Sequence, residues 1–277
     1  MATPRLASLR LVGSDGGPLY VDVRTGARSG EVRPTVVIGH GFKGFKDWGF
    51  FPKLAERLAL AGFTAVTFNF SGSGVGPASE VVDEPDRWFR QTLSNDLADF
   101  DTVISHAAEA APPWIGLVGH SRGGGTAVIQ VARDARVRAL VTWAAVAGFS
   151  RHTAAELERW RLEGRIQVIN ARTGQALPIG TASLDDLEAN GRGSLDVLAA
   201  ASRVRVPWLV VHGTADESVA SSDAEQLARA SGSARTTLLL VDGAGHTFGA
   251  RHPWAGGTPE LDRVIEATAK FLGGTLG

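Results

Sequence analysis

The stretch Trp114-Ile115-Gly116-Leu117-Val118-Gly119-His120-Ser121-Arg122-Gly123-Gly124-Gly125-Thr126-Ala127 changes character twice. It opens as a short apolar run of the buried-strand type, tightens into glycines, and continues into a helical pattern over 123–133. A serine in Gly119-x-Ser121-x-Gly123 between strand and helix sits on a strained turn that lifts its hydroxyl above the sheet edge. The flanking glycines remove Cβ atoms where backbones must approach closely. The helix behind aims free N–H groups at a developing negative charge. Ser121 is therefore the candidate nucleophile. The pentapeptide alone is a common chance pattern; the strand before it and the helix after it give it weight.

Outward from this turn, short β-branched runs alternate with longer helical patterns. Strands are predicted at 5–12, 18–23, 35–39, 64–70, 114–119, 137–143, 206–212 and 235–241. The first two are joined through Ser14-Asp15-Gly16-Gly17 as a hairpin. Helices are predicted at 50–61, 92–109, 123–133, 222–230 and 259–272. In 92–109 the helical spacing is carried by Leu93, Leu97, Phe100, Ile104 and Ala107. The alternation implies an α/β fold: a mostly parallel eight-stranded sheet with helices on both faces. It breaks at 148–201, which is far too long for an ordinary connection. There 153–164 reads as a charged helix and 165–179 as a hairpin turning at Thr173-Gly174. The expected organisation is a core of 1–147 and 202–277 with a cap insert at 148–201.

Two later loops follow strands in the same manner. Pro207-Trp208-Leu209-Val210-Val211-His212-Gly213 leads into Thr214-Ala215-Asp216-Glu217-Ser218-Val219, and the last strand leads into Asp242-Gly243-Ala244-Gly245-His246-Thr247-Phe248. With the serine turn, these loops make the chain resemble the α/β-hydrolase superfamily from about residue 18 to 272. The resemblance implies the α/β-hydrolase fold and a triad of Ser121, Asp216 and His246 in the family's chain order. His246 would take the Ser121 proton and return it to the leaving group, and Asp216 would fix the imidazole and stabilise its cation. Glu217 is the neighbouring competitor for the acid position and Asp242 a weaker one. His40-Gly41-Phe42, after the third strand, resembles the family's oxyanion segment. The implied donors are the backbone N–H groups of Phe42 and Arg122. His-Gly-Phe in place of a glycine run, serine in place of an aspartate nucleophile, and the cap are most similar to cinnamoyl/feruloyl esterases and dienelactone-hydrolase-like carboxylesterases.

Other residues carry two readings each. His40 either organises its loop or touches substrate; His120 and His212 read as supporting residues. Lys43 and Lys46 either meet an anionic substrate group or are solvated. Trp143, Phe149 and Trp160, at or within the insert, either line a substrate pocket or pack the cap. Arg151, Arg159, Arg161 and Arg165 interleave with Glu156, Glu158 and Glu163, the pattern of a solvated helix face. Ser71-Gly72-Ser73-Gly74-Val75-Gly76 lacks the rest of a nucleotide-binding fingerprint and is expected as a flexible loop at the active-site mouth.

Composition narrows the partners. The chain has 277 residues, 44% hydrophobic and 21% charged, with net charge −1, which gives no electrostatic reason to expect nucleic acid or an anionic membrane. Without cysteine there is no disulfide framework and no thiolate site, and the histidines lack metal-ligand spacing, so neither metal nor cofactor is expected. The N-terminus lacks the pattern of a signal peptide, and no stretch approaches the roughly 20 apolar residues that span a bilayer. The expectation is a cytoplasmic hydrolase acting on a small-molecule ester, of undetermined oligomeric state. A peptidase or acylaminoacyl hydrolase, a thioesterase, and a non-catalytic binding protein on the same scaffold are the alternatives.

Overall fold

The computed structural model describes residues 3–26, 32–150 and 152–275. Its main sheet holds β1 (Arg5–Val12), β2 (Pro18–Thr25), β3 (Thr35–Gly39), β4 (Thr64–Phe68), β5 (Ile115–His120), β6 (Val137–Trp143), β9 (Trp208–Gly213) and β10 (Thr236–Val241). Their spatial order is β1-β2-β4-β3-β5-β6-β9-β10. The first two pairings, β1 with β2 and β2 with β4, are antiparallel; every later one is parallel. Strands β3, β5 and β9 are buried at every residue, as their uninterrupted small and apolar runs require. The chain is an α/β-hydrolase in its fold.

Helices cover both faces. On one side α1 (Phe51–Leu60) and α9 (Pro259–Thr275) bury Leu54, Leu58, Leu261 and Val264 against Val36, Ile38, Val118 and Val211. On the other lie α3 (Leu93–Glu109), α4 (Arg122–Arg133) and α8 (Ser221–Ala230), packing Phe100, Ile104, Val128 and Leu227 onto the opposite faces of the same strands. Thr92 caps α3 by accepting a hydrogen bond from the Asn95 N–H.

The connections fix where the site lies. From β3 the chain moves to β4 on one side and later returns through β5 on the other, so the sheet reverses its order between β3 and β5. Loops leaving the carboxyl ends of such a pair open a crevice between them. Gly39 of β3 and Gly119 of β5 are register partners, so the segments after them emerge side by side. The loops after β9 and β10 leave the same edge, with Gly213 opposite Val241.

The 148–201 insert is more helical than its sequence pattern implies. It contains α5 (Ala154–Glu163), the hairpin β7 (Arg165–Ile169) with β8 (Ala176–Gly180), then α6 (Thr181–Asn190) and α7 (Val197–Ala201). The stretch leading into α7 does not cap anything: Leu195, Val197, Ala200 and Ala201 join the main core beside α4 and α8. Cap residues share a separate cluster with Phe45, Val75, Val82 and Trp88, the last from the short helix α2 (Pro85–Phe89). Ser71-Gly72-Ser73 is not a flexible loop at the mouth. It is a buried 3-10 turn whose Ser71 N–H and hydroxyl both donate to Asp99 at 2.7 Å. Arg151 lies outside the described residues. No described helix is long and apolar enough to cross a membrane.

Candidate active site

Ser121 occupies the turn between β5 and α4 at φ 55°, ψ −123°, a conformation that costs a non-glycine residue of order 1–3 kcal/mol. The surroundings hold it there. The Ser121 N–H donates to the Trp143 carbonyl at 2.9 Å, and its own carbonyl accepts from Gly124 at 2.9 Å. Gly123 is required by contact: a Cβ on it would lie 2.2 Å from the His40 carbonyl oxygen. A Cβ on Gly41 would come within 2.9 Å of the Ser121 Cβ, so the β3 loop runs directly beside the serine.

His246 and Asp216 arrive from the other two loops. The His246 Nδ1–H donates to Asp216 Oδ2 at 2.8 Å, which leaves Nε2 unprotonated to take up a proton. Asp216 is held by more than the imidazole. Its Oδ1 accepts from the N–H groups of Ser218 at 2.8 Å and Val219 at 2.9 Å. His212 Nε2 lies 3.2 Å from Oδ2 and 3.0 Å from the Val219 carbonyl, so one N–H serves both. Burial favours the neutral acid, but these bonds from His212, His246 and Val219 outweigh it and hold Asp216 well below the usual carboxylate range. Asp216 is the acid that meets His246. Glu217 is exposed, and Asp242 is exposed and accepts from Thr214.

Ser121 and His246 line the same two cavities. Among the described residues none hydrogen-bonds the Ser121 hydroxyl; in unliganded sites this bond is often long and tightens only with substrate in place. The Phe42 and Arg122 backbone N–H groups flank the serine from the β3 loop and the first turn of α4, and neither donates to a described acceptor.

Burial keeps His40 and His120 neutral. His40 is buried, its Nδ1–H on the Gly41 carbonyl at 2.8 Å and its Nε2 accepting the Phe70 N–H at 3.1 Å. Burial, first, and the Arg122 charge push its pKa down to about 4, against the Gly41 bond. It braces the loop after β3 and lines neither of the two cavities that Ser121 lines. His120 packs its ring 4.7 Å from that of His246 and donates Nε2–H to the His246 carbonyl at 3.0 Å. Burial and then the neighbouring His246 push its pKa down to about 3. An uncharged ring there does not repel the imidazolium that proton transfer would create.

Sequence reasoning missed what supports the β3 loop. Arg122 sends Nε and Nη2 to Asp96 Oδ2 at 2.9 and 2.6 Å and Nη1 to Gln91 at 2.6 Å. Its guanidinium lies 5.5 Å from the Phe42 ring, which stacks on Trp88 at 5.3 Å. Burial raises the Asp96 pKa to about 6 despite Arg122. A signal existed: Asp96 sits on the apolar stripe of α3 between Leu93 and Phe100, where a carboxylate needs a partner.

The remaining candidates divide. Phe149 and Trp160 line a cavity of about 410 Å³ beside Ser121, with Phe42, Leu93, Ile179 and Leu187. Lys43 stands on the wall shared with a second cavity of about 470 Å³, its Nζ 3.4 Å from the Ile169 carbonyl. Trp143 is a correction: it is fully buried beneath the site, bonded through Nε1 to Thr268 and packed on Phe50 and Phe248, and it lines neither cavity. Lys46 is not solvated. It is buried against Asp22 at 2.8 Å, with Asp47 also on its ammonium.

Sheet order and serine turn define an α/β-hydrolase. The family model described as serine aminopeptidase, S33, matches residues 30–177 and 168–249, and the chain belongs to this family. No curated protein matches the chain significantly. Among solved structures it is similar to Est1E from Butyrivibrio proteoclasticus with ferulic acid bound, at TM-score 0.72 and 19% identity, covering 97% of this chain and 99% of that one. A putative hydrolase from Agrobacterium vitis S4 gives TM-score 0.74 at 21% identity, covering 97% and 99%. The dienelactone hydrolase from Anabaena variabilis gives 0.64 at 17%, covering 98% and 99%. At such identities the likeness is one of fold.

Proposed function

We propose that this hydrolase cleaves carboxylic esters through an acyl-enzyme on Ser121. The observation that carries the reading is the 2.8 Å His246–Asp216 bond beside a cavity-facing serine at positive φ. His246 Nε2 takes the Ser121 proton as Oγ attacks the ester carbonyl. The Phe42 and Arg122 N–H groups receive the oxyanion, and Asp216 stabilises the imidazolium. His246 then protonates the departing alkoxide, and water, deprotonated by the same imidazole, releases the acid.

The cavities favour an ester over an aminopeptide. An aminopeptidase must hold a free ammonium group, and among the described residues no carboxylate lines either cavity next to Ser121. The wild-type protein is expected to hydrolyse 4-nitrophenyl butyrate, and Ser121→Ala to lose that turnover by roughly 10⁴-fold or more while keeping its circular dichroism spectrum. A fluorophosphonate should label Ser121. Full activity in Ser121→Ala would overturn the assignment. Preferential cleavage of aminoacyl anilides would make the protein a peptidase, and failure to label or turn over would favour a binding scaffold.

A further inference from the structure

The two cavities that meet at Ser121 differ in charge. The first is lined mainly by aromatic and aliphatic side chains; its one arginine, Arg122, is neutralised by Asp96 at 2.6 Å, and its only other cation is Lys43, on the wall the two cavities share. The second lies between the hairpin turn of the insert and the loop after His246. Its wall includes Lys43, Arg172 and Arg251, and no aspartate or glutamate. None of these three cations forms an ion pair with a described carboxylate. Lys43 reaches only the Ile169 carbonyl and the face of Phe42 at 5.7 Å. Arg172 bonds the Glu80 carbonyl and lies 5.6 Å over Phe45, and Arg251 is exposed with no bond to a described side chain. The Glu80 carboxylate sits 3.2 Å from Nε2 of His252, on the same wall, and is more than half exposed.

We propose that this second cavity is an anion subsite, so that the substrate is an ester with an apolar half and a carboxylate-bearing half. The inference rests on the ester-hydrolase reading above and adds the chemistry of one half. Three cations without counter-ions, grouped along a concave wall that ends at the nucleophile, attract and orient an anionic group from several sides. Arginine supplies the planar donor pair that carboxylates accept. The apolar cavity then takes the other half by burial.

Two matched substrate pairs test this. In one, the acyl half carries the charge: mono-4-nitrophenyl suberate against its methyl ester. In the other, the alcohol half carries it: 4-(butanoyloxy)phenylacetate against its methyl ester. In one pair the charged member is expected to show a kcat/KM at least tenfold above its neutral partner, mainly through KM. That ratio should fall toward one in Arg172→Gln/Arg251→Gln and with added salt. Arg251→Gln alone, at a side chain without described bonds, should lower it severalfold and guards against a disturbed hairpin in the double variant. The pair that responds identifies which half the subsite holds. If neutral esters turn over while neither charged member is preferred, or the ratio is unchanged in both variants, the anion subsite is overturned and the esterase reading stands. If none of the four esters turns over, both fall.

Discussion

The catalytic edge of the sheet and the cap that overhangs it are built on different terms. At the edge, the acid and the histidines that brace the loops are tied down by several bonds each. Asp216 holds two backbone N–H groups and two imidazoles, and His40 uses both ring nitrogens. In the cap, α5 buries only Trp160 and α6 only Leu184, while Arg161 pairs with Asp185 and Glu188 in the open. The cap nevertheless supplies much of the wall that a substrate would touch, including Trp160, Ile179, Ser183 and Leu187. In the proposed reaction the chemistry thus rests on the core, and selectivity on a thin cover held by a few apolar contacts.

Asp216→Asn breaks the stronger side of this contrast. Asparagine keeps an oxygen for Ser218 and Val219 but turns an N–H₂ toward an imidazole that now donates there. His246 must either lose that bond or hold its proton on Nε2, where it cannot act as base. The expected loss in kcat is about 10⁴-fold with the thermal transition little changed. A drop below about tenfold in 4-nitrophenyl butyrate turnover would mean that Asp216 does not set the imidazole's proton.

Acid should loosen the edge before the cap. His40 and His120 stay neutral in the fold down to about pH 4 and about pH 3, against an ordinary value of 6.5. The unfolded chain takes up protons first, so stability is present above about pH 6.5 and is lost as pH falls toward those folded values. Each histidine loses about 1.4 kcal/mol per pH unit within that window. Asp96, raised to about 6, works in the opposite direction between that value and 3.8, and Asp216 adds to the loss only below 3.8. Wild-type Tm should therefore fall from pH 7 to pH 4.5. His120→Gln should start lower and fall less over the same range, and equal slopes would refute the assignment of the acid sensitivity to His120.

What could be read in the sequence divides along the same line. The sheet strands and the serine, acid and histidine loops are local signals: apolar runs, turn glycines, and polar residues directly after a strand. They place eight strands and the chain order of the site. Strand 64–70 ends early, at Phe68, because Asn69 turns its side chain to the Lys46 N–H and the Val75 carbonyl. The face that a strand residue presents is not local. Trp143 borders the insert in sequence but packs into the core against α9, through Thr268, which no spacing rule links to it. Helix α6 was hidden because its ten residues bury one leucine and lack a strong apolar stripe, and α2 because five residues with proline at the start carry no period. That Asp96 needs a partner is legible from its place on the apolar stripe of α3, but that Arg122 supplies it, with Gln91 alongside, depends on tertiary approach.

Trp160→Ala probes the weaker side and carries the smallest expected effect on activity. Its indole is 3% exposed, donates to the Ile179 carbonyl at 3.1 Å, and lines the apolar cavity. Removing it takes away the centre of the cap cluster, a loss of order 3–5 kcal/mol in a fully coupled core. Because the cap cluster is separate from the two cores that hold the sheet, most of that loss falls on cap docking. Turnover of 4-nitrophenyl acetate should stay within about threefold of wild type, while kcat/KM for a decanoyl or cinnamoyl ester should drop about tenfold, roughly 1.4 kcal/mol. Arg161→Gln is the control: its pairs are solvent-exposed and screened, and Arg161 lines neither cavity, so neither substrate should respond. Equal losses on short and long esters in Trp160→Ala would show that cap and catalytic edge act as one unit, and the division of labour drawn above would fail.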